Sequence, residues 1–136
     1  MSRSVLLVYQ LLIGLSDTMT GALLVLAPAF ALRLMFLEAP DSALIYISYI
    51  GAFVFSVGLA CLYGALLIYR KQLGRRVETV WLLTALTRGS VALFVVVQVA
   101  VHSLAAGWLT VAVTDGACVV IQAIGLSRGW LTNEPL

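Results

Sequence analysis

Apolar residues fall into four long runs, residues 5–27, 43–69, 77–101 and 108–126, separated by short polar stretches. Each has about the length, roughly 17–25 residues, that an α-helix needs to cross the hydrocarbon core of a bilayer. Polar residues inside the runs recur at steps of three and four rather than alternating, which predicts helices and not strands. The pattern therefore predicts an all-α membrane protein, a single domain over residues 1–136. Its four transmembrane helices form an antiparallel bundle.

The polar positions within the runs give each helix a face. On the first, Gln10, Gly14, Asp17, Thr20 and Gly21 share one side. On the second, Ser48, Ala52, Ser56, Ala60 and Gly64 recur every four residues. Such a small-residue stripe lets two helix backbones approach closely, so it is expected at a helix–helix contact, within the chain or with another chain. On the third, Trp81, Thr84 and Arg88 align; on the fourth, Cys118 and Gln122 follow Asp115 at offsets of three and seven.

The connecting stretches carry their own signals. Pro28 is expected to end the first helix, and residues 29–37 are too short to span, which predicts an interfacial amphipathic piece. Asp41 or Ser42 is the expected N-cap of the second span. Glu78 opens the third, where an acid favours the helix dipole. The first run, with Asp17 at its middle, reads as an uncleaved helix and not a signal peptide.

Composition changes little in this picture. The chain is 62% hydrophobic and 10% charged, far from the balance of a soluble domain. Its net charge of +2 carries no implication of nucleic-acid binding. The few basic residues are topology signals. With four spans, Arg3, Arg70, Lys71, Arg75, Arg76 and Arg128 fall on one side and Arg33 on the other. The positive-inside rule then places both termini in the cytoplasm, in the manner of a bacterial cytoplasmic-membrane protein.

The informative chemistry is a set of three charges inside the runs: Asp17, Arg88 and Asp115. A charge at the bilayer centre costs roughly 2.5–3.5 kcal/mol even on the lenient insertion scale. Arginine does not escape that cost by losing its proton, so Arg88 requires a partner. Counted from the basic ends of their helices, the three charges lie at depths that agree to about one turn, at ~1.5 Å per residue. They are expected to face inward and meet, with Gln10, Thr20, Thr84, Cys118 and Gln122 as a supporting polar face. Two ionised aspartates beside one arginine leave an excess negative charge, which makes the cluster a candidate proton site shared by the pair.

No catalytic signature accompanies the charges. The sequence has no nucleophile elbow, no phosphate loop, no zinc-binding His–Glu pattern and no dinucleotide fingerprint. Cys61 and Cys118 have no metal-ligand spacing, and His102 is the single histidine, so two-histidine haem ligation within this chain is excluded. No catalytic residue, metal site or cofactor motif is assigned, and an enzyme is the less favoured reading.

The stretches GLSDTMTGALLVLAPAF (residues 14–30), IGAFVFSVGLACLYG (residues 50–64) and AGWLTVAVTDGACVVIQAIG (residues 106–125), with the Pro-containing loop between the first two, resemble the DoxX-like group of small four-helix membrane proteins. The resemblance implies an accessory role in a membrane complex, redox- or quinone-linked, with lipid, other membrane subunits or further copies of the chain as partners. A quinone enters only through that resemblance. The small multidrug carriers share four helices and an acid in the first span, here Asp17, but Arg88 and Asp115 depart from their pattern. Two functions follow: a non-catalytic accessory subunit whose charges fix helix packing, and a proton-coupled carrier or quinone-side proton handler using Asp17 and Asp115.

Overall fold

The computed structural model describes residues 2–132. Five helices form: α1 Arg3–Leu26, α2 Pro28–Leu34, α3 Leu44–Tyr69, α4 Arg75–Ala100 and α5 Leu109–Ser127. Short 3-10 turns, Asp41–Ala43 and Ala106–Trp108, lead into α3 and α5. No strand occurs among the described residues. Four helical stretches, Arg3–Leu26, Asp41–Tyr69, Arg75–Ala100 and Ala106–Ser127, are long and apolar enough to cross a membrane. Their apolar side chains are extensively exposed, Leu12, Leu83, Leu86 and Val113 among them, as a lipid environment permits. The all-helical class with four span-length helices expected from the apolar runs is the one observed among the described residues. The chain divides into two compact units at residues 71 and 72, and each is an antiparallel helical hairpin.

In the first hairpin, α1 starts on Ser2, whose hydroxyl accepts a hydrogen bond from the Val5 N–H at 3.4 Å. It stops at Ala27 because Pro28 has no N–H to donate, and Pro28 then opens α2 at the first helical position. The expected interfacial piece is thus a seven-residue helix, with Ala31 and Leu32 buried and Arg33 and Leu34 exposed. No side chain caps α3: Asp41 and Ser42 lie in the 3-10 turn, whose backbone carbonyls take the role expected of the Asp41 or Ser42 side chain.

Four glycines draw α1 and α3 together. A Cβ at Gly21 would land on the backbone of Phe55 and lie 2.8 Å from the Gly51 carbonyl oxygen. One at Gly51 would come within 2.6 Å of the Leu24 Cβ, and one at Gly58 would strike the Thr18 backbone. Gly14 packs likewise on Leu62. The pairs Gly14/Gly21 and Gly51/Gly58 are each seven residues apart, two turns of a helix, so each helix presents glycine at successive crossings of one seam. In lipid no hydrophobic drive separates helix from solvent, and this close backbone contact supplies the dispersion that holds the pair.

That seam differs from the stripe read in the sequence. The close approach of α1 and α3 is made at Gly51 and Gly58, which stand outside the stripe of Ser48, Ala52, Ser56, Ala60 and Gly64. Ala52 and Ser56 are exposed, Ser48 and Ala60 half-buried, and Gly64 buried.

The second hairpin turns sharply after α4. Ser103 N–H donates to the Gln98 carbonyl at 2.9 Å and His102 N–H to that of Val99 at 3.0 Å, with His102 at φ +59°. This is the double-bonded helix stop that usually carries glycine at the left-handed position. The end of α5 uses the same stop with Gly129 at φ +62°, and the end of α2 uses it with Phe36 at φ +56°.

Candidate functional site

The helical steps of α4 place Val77, Trp81, Thr84, Arg88 and Val95 on one buried face. The facing side of α5 buries Ala112, Cys118, Gln122 and Gly125. Because the helices run antiparallel, residues pair in a descending ladder: Arg88 with Asp115, Thr84 with Gln122, Trp81 with Gly125.

The Arg88 Nη1 donates to Asp115 Oδ1 at 2.6 Å. The two side chains are 7% and 16% exposed, so little competing water or headgroup charge reaches them. Charge-assisted contacts of this length are about twice as strong as neutral ones, and low dielectric strengthens them further. Arg88 stands at the middle of α4, the depth at which a lone guanidinium would be costliest. The partner that the sequence required for Arg88 is therefore supplied inside its own hairpin.

One turn along α4 and two along α5, the Gln122 Nε2 donates to Thr84 Oγ1 at 2.9 Å. Thr84 in turn donates to the carbonyl oxygens of Val80 at 2.8 Å and Trp81 at 3.2 Å. The amide of Gln122 is 1% exposed, and its Oε1 accepts no hydrogen bond. A buried acceptor without a donor costs about 1–3 kcal/mol. Gln122→Leu removes that orphan and strands no donor, since the Thr84 hydroxyl still bonds backward along α4. The variant is expected to be as stable as the parent or up to about 1 kcal/mol more stable in detergent unfolding. A loss well beyond 1 kcal/mol would show that the amide oxygen is satisfied in the folded protein.

Below the polar rungs the hairpin is closed by tryptophan. Trp81 is fully buried, and its ring lies where any side chain at position 125 would begin. Trp130, folded back by the stop after α5, covers the same glycine: its N–H donates to the Gly125 carbonyl at 3.0 Å. Sequence reasoning placed Trp81 on this face and left out Gly125 as its seat. The signal was its place in the three- and four-residue steps from Cys118 and Gln122.

The remaining residues of the expected site lie in the first hairpin. Asp17 is half-buried on α1; Gln10 is buried and Thr20 half-buried on the same helix. They lie beside the glycine seam, where Thr18 Oγ1 donates to the Gly14 carbonyl at 2.6 Å. Cys61 and Cys118 are buried thiols, one in each hairpin. Among the described residues no group of three or more His, Cys, Asp or Glu side chains is placed to hold a metal ion.

Chemically, the Arg88–Asp115 pair holds a fixed charge and its counter-charge at one depth, with a hydrogen-bonded amide beside it. Such a group can lock two helices in register, and a carboxylate so placed can exchange a proton if a donor reaches it. No family model, curated protein or solved structure matches the chain.

Proposed function

We propose that this chain is a small DoxX-like integral membrane protein acting as a non-catalytic accessory subunit of a redox- or quinone-linked complex in the bacterial cytoplasmic membrane. In this reading both termini are cytoplasmic, and the buried charges are architectural. The observation that carries it is the Arg88–Asp115 ion pair at 2.6 Å, flanked by the Thr84–Gln122 bond and closed by Trp81 on Gly125. A charge whose counter-charge sits on the facing helix at the same rung fixes the register of two helices and leaves large lipid-facing surfaces for other subunits. Polar pairs are best attested as devices of register and specificity.

A second reading, a proton-coupled carrier or quinone-side proton handler using Asp17 and Asp115, is favoured by one feature. The Gln122 carbonyl, one rung from Asp115, has the unfilled acceptor that a water in a proton path would use.

One variant separates the two. Arg88→Leu with Asp17→Asn and Asp115→Asn removes all three charges together, and removing every member of a buried ionic group can be neutral or stabilising. Under the accessory reading the triple variant folds and co-purifies with the same membrane complex as the parent in mild detergent. Under the proton reading it folds and assembles but loses pH-dependent transport or quinone-linked turnover, and Asp115→Asn alone suffices. A parent protein that purifies from its native membrane as an isolated chain would overturn the accessory reading.

A further inference from the structure

The first hairpin holds a groove of about 310 Å³ between α1 and α3, lined by Leu7, Leu11, Leu62, Ala65, Leu66 and Tyr69. It opens where the glycine seam ends. Gly14 packs on Leu62, and towards the start of α1 the facing residues become leucines that hold the helices apart. The groove is apolar along its length, and its only polar lining residue, Tyr69, stands at one end, 68% exposed.

That same end is cationic. Arg3 lies one turn before Leu7 and two before Leu11, on the same face of α1. Arg70 lies one turn after Leu66 and two after Leu62, on the same face of α3. The register of the seam, Gly14 to Leu62 and Gly21 to Phe55, continues to place Leu7 at the level of Tyr69, with Arg3 about one turn further out. Both arginines are exposed, and Lys71 follows directly. From Tyr69 to Leu62 the groove runs about 10 Å at ~1.5 Å per residue, within the ~15 Å that one leaflet's hydrocarbon occupies.

We propose that this groove is a binding site for one anionic phospholipid: an acyl chain lies along Leu7, Leu11, Leu62 and Leu66, and Arg3 and Arg70 hold the phosphate. The charge selects the lipid. Arginine presents a planar set of donors matched to phosphate, and two of them above an apolar channel favour a headgroup with net negative charge over a zwitterion. Tyr69, amphipathic at the boundary, covers the glycerol region.

The test is native mass spectrometry of the full-length protein in nonionic detergent, titrated with dioleoyl phosphatidylglycerol or dioleoyl phosphatidylcholine. One phosphatidylglycerol is expected to be retained, in preference to phosphatidylcholine. Each cation near a headgroup contributes about a fivefold preference. Arg3→Gln with Arg70→Gln is therefore expected to lower retention roughly 25-fold, with the unfolding midpoint unchanged because both side chains are exposed. Leu11→Asn with Leu66→Asn keeps the arginines and spoils the channel, and is expected to lower retention as well; both leucines are at least 39% exposed, so the fold tolerates them. Equal retention of the two lipids would overturn the proposal. So would retention that survives the leucine variant, which would mark surface charge alone, or displacement of the lipid by excess inorganic phosphate, which would mark a phosphate site.

Discussion

Asp115→Leu is expected to destabilise the second hairpin by about 3–5 kcal/mol, the usual cost of leaving one member of a buried ion pair behind. Arg88→Leu is expected to cost much less. The asymmetry follows from the chemistry of the survivor. A carboxyl left without its cation becomes neutral by taking up a proton, whereas a guanidinium keeps its charge at any accessible pH. The double variant Arg88→Leu/Asp115→Leu should recover most of the loss, because two leucines at this rung need no hydrogen bonds. Equilibrium unfolding in mixed detergent micelles gives all three values. Equal costs for the two single variants, or a milder Asp115→Leu, would show that the pair does not carry the hairpin's charge balance.

The second large effect belongs to the glycine seam. Gly58→Ala puts a methyl group against the Thr18 backbone, and Gly21→Ala puts one against that of Phe55. Backbone does not rotate aside as a flexible side chain does, so α1 and α3 must separate along the whole seam. We expect each variant to lose about 1–3 kcal/mol, and the corresponding valines more. Gly116→Ala is the control. Nothing in its hairpin lies within 4 Å of the added carbon, so it should be neutral or gain up to about 1 kcal/mol in helix propensity. A Gly58→Ala protein with the parent's thermal midpoint would falsify the seam as the source of α1–α3 association.

These two features differ in how plainly the sequence shows them. The spans are legible because bilayer thickness fixes their length, whatever their detail. Arg88's need for a carboxylate is legible because its charge is permanent, and Asp115 meets it at an antiparallel rung. The seam is harder to read. Small residues every four positions on the second span draw the eye to Ser48, Ala52, Ser56, Ala60 and Gly64, and the glycines seven apart, Gly51 and Gly58, are passed over. Only comparison of the two helices shows Gly14/Gly21 answering Gly51/Gly58. The ends of α2 and α4 are illegible for another reason. Phe36 and His102 occupy left-handed positions where a reader looks for glycine, so no residue type marks the stop.

The tight turn after α4 also bears on how the chain enters the membrane. Arg88 and Asp115 are 27 residues apart in sequence and joined through a reversal between Ala100 and Ala106. A translocon that receives α4 alone meets an uncompensated arginine at the centre of a 26-residue helix. With α5 present, Asp115 supplies the counter-charge, and the hairpin offers the bilayer a neutral pair in place of a lone arginine. A chain cut off before Asp115 is therefore expected to leave α4 in the bilayer less completely than one that continues through α5.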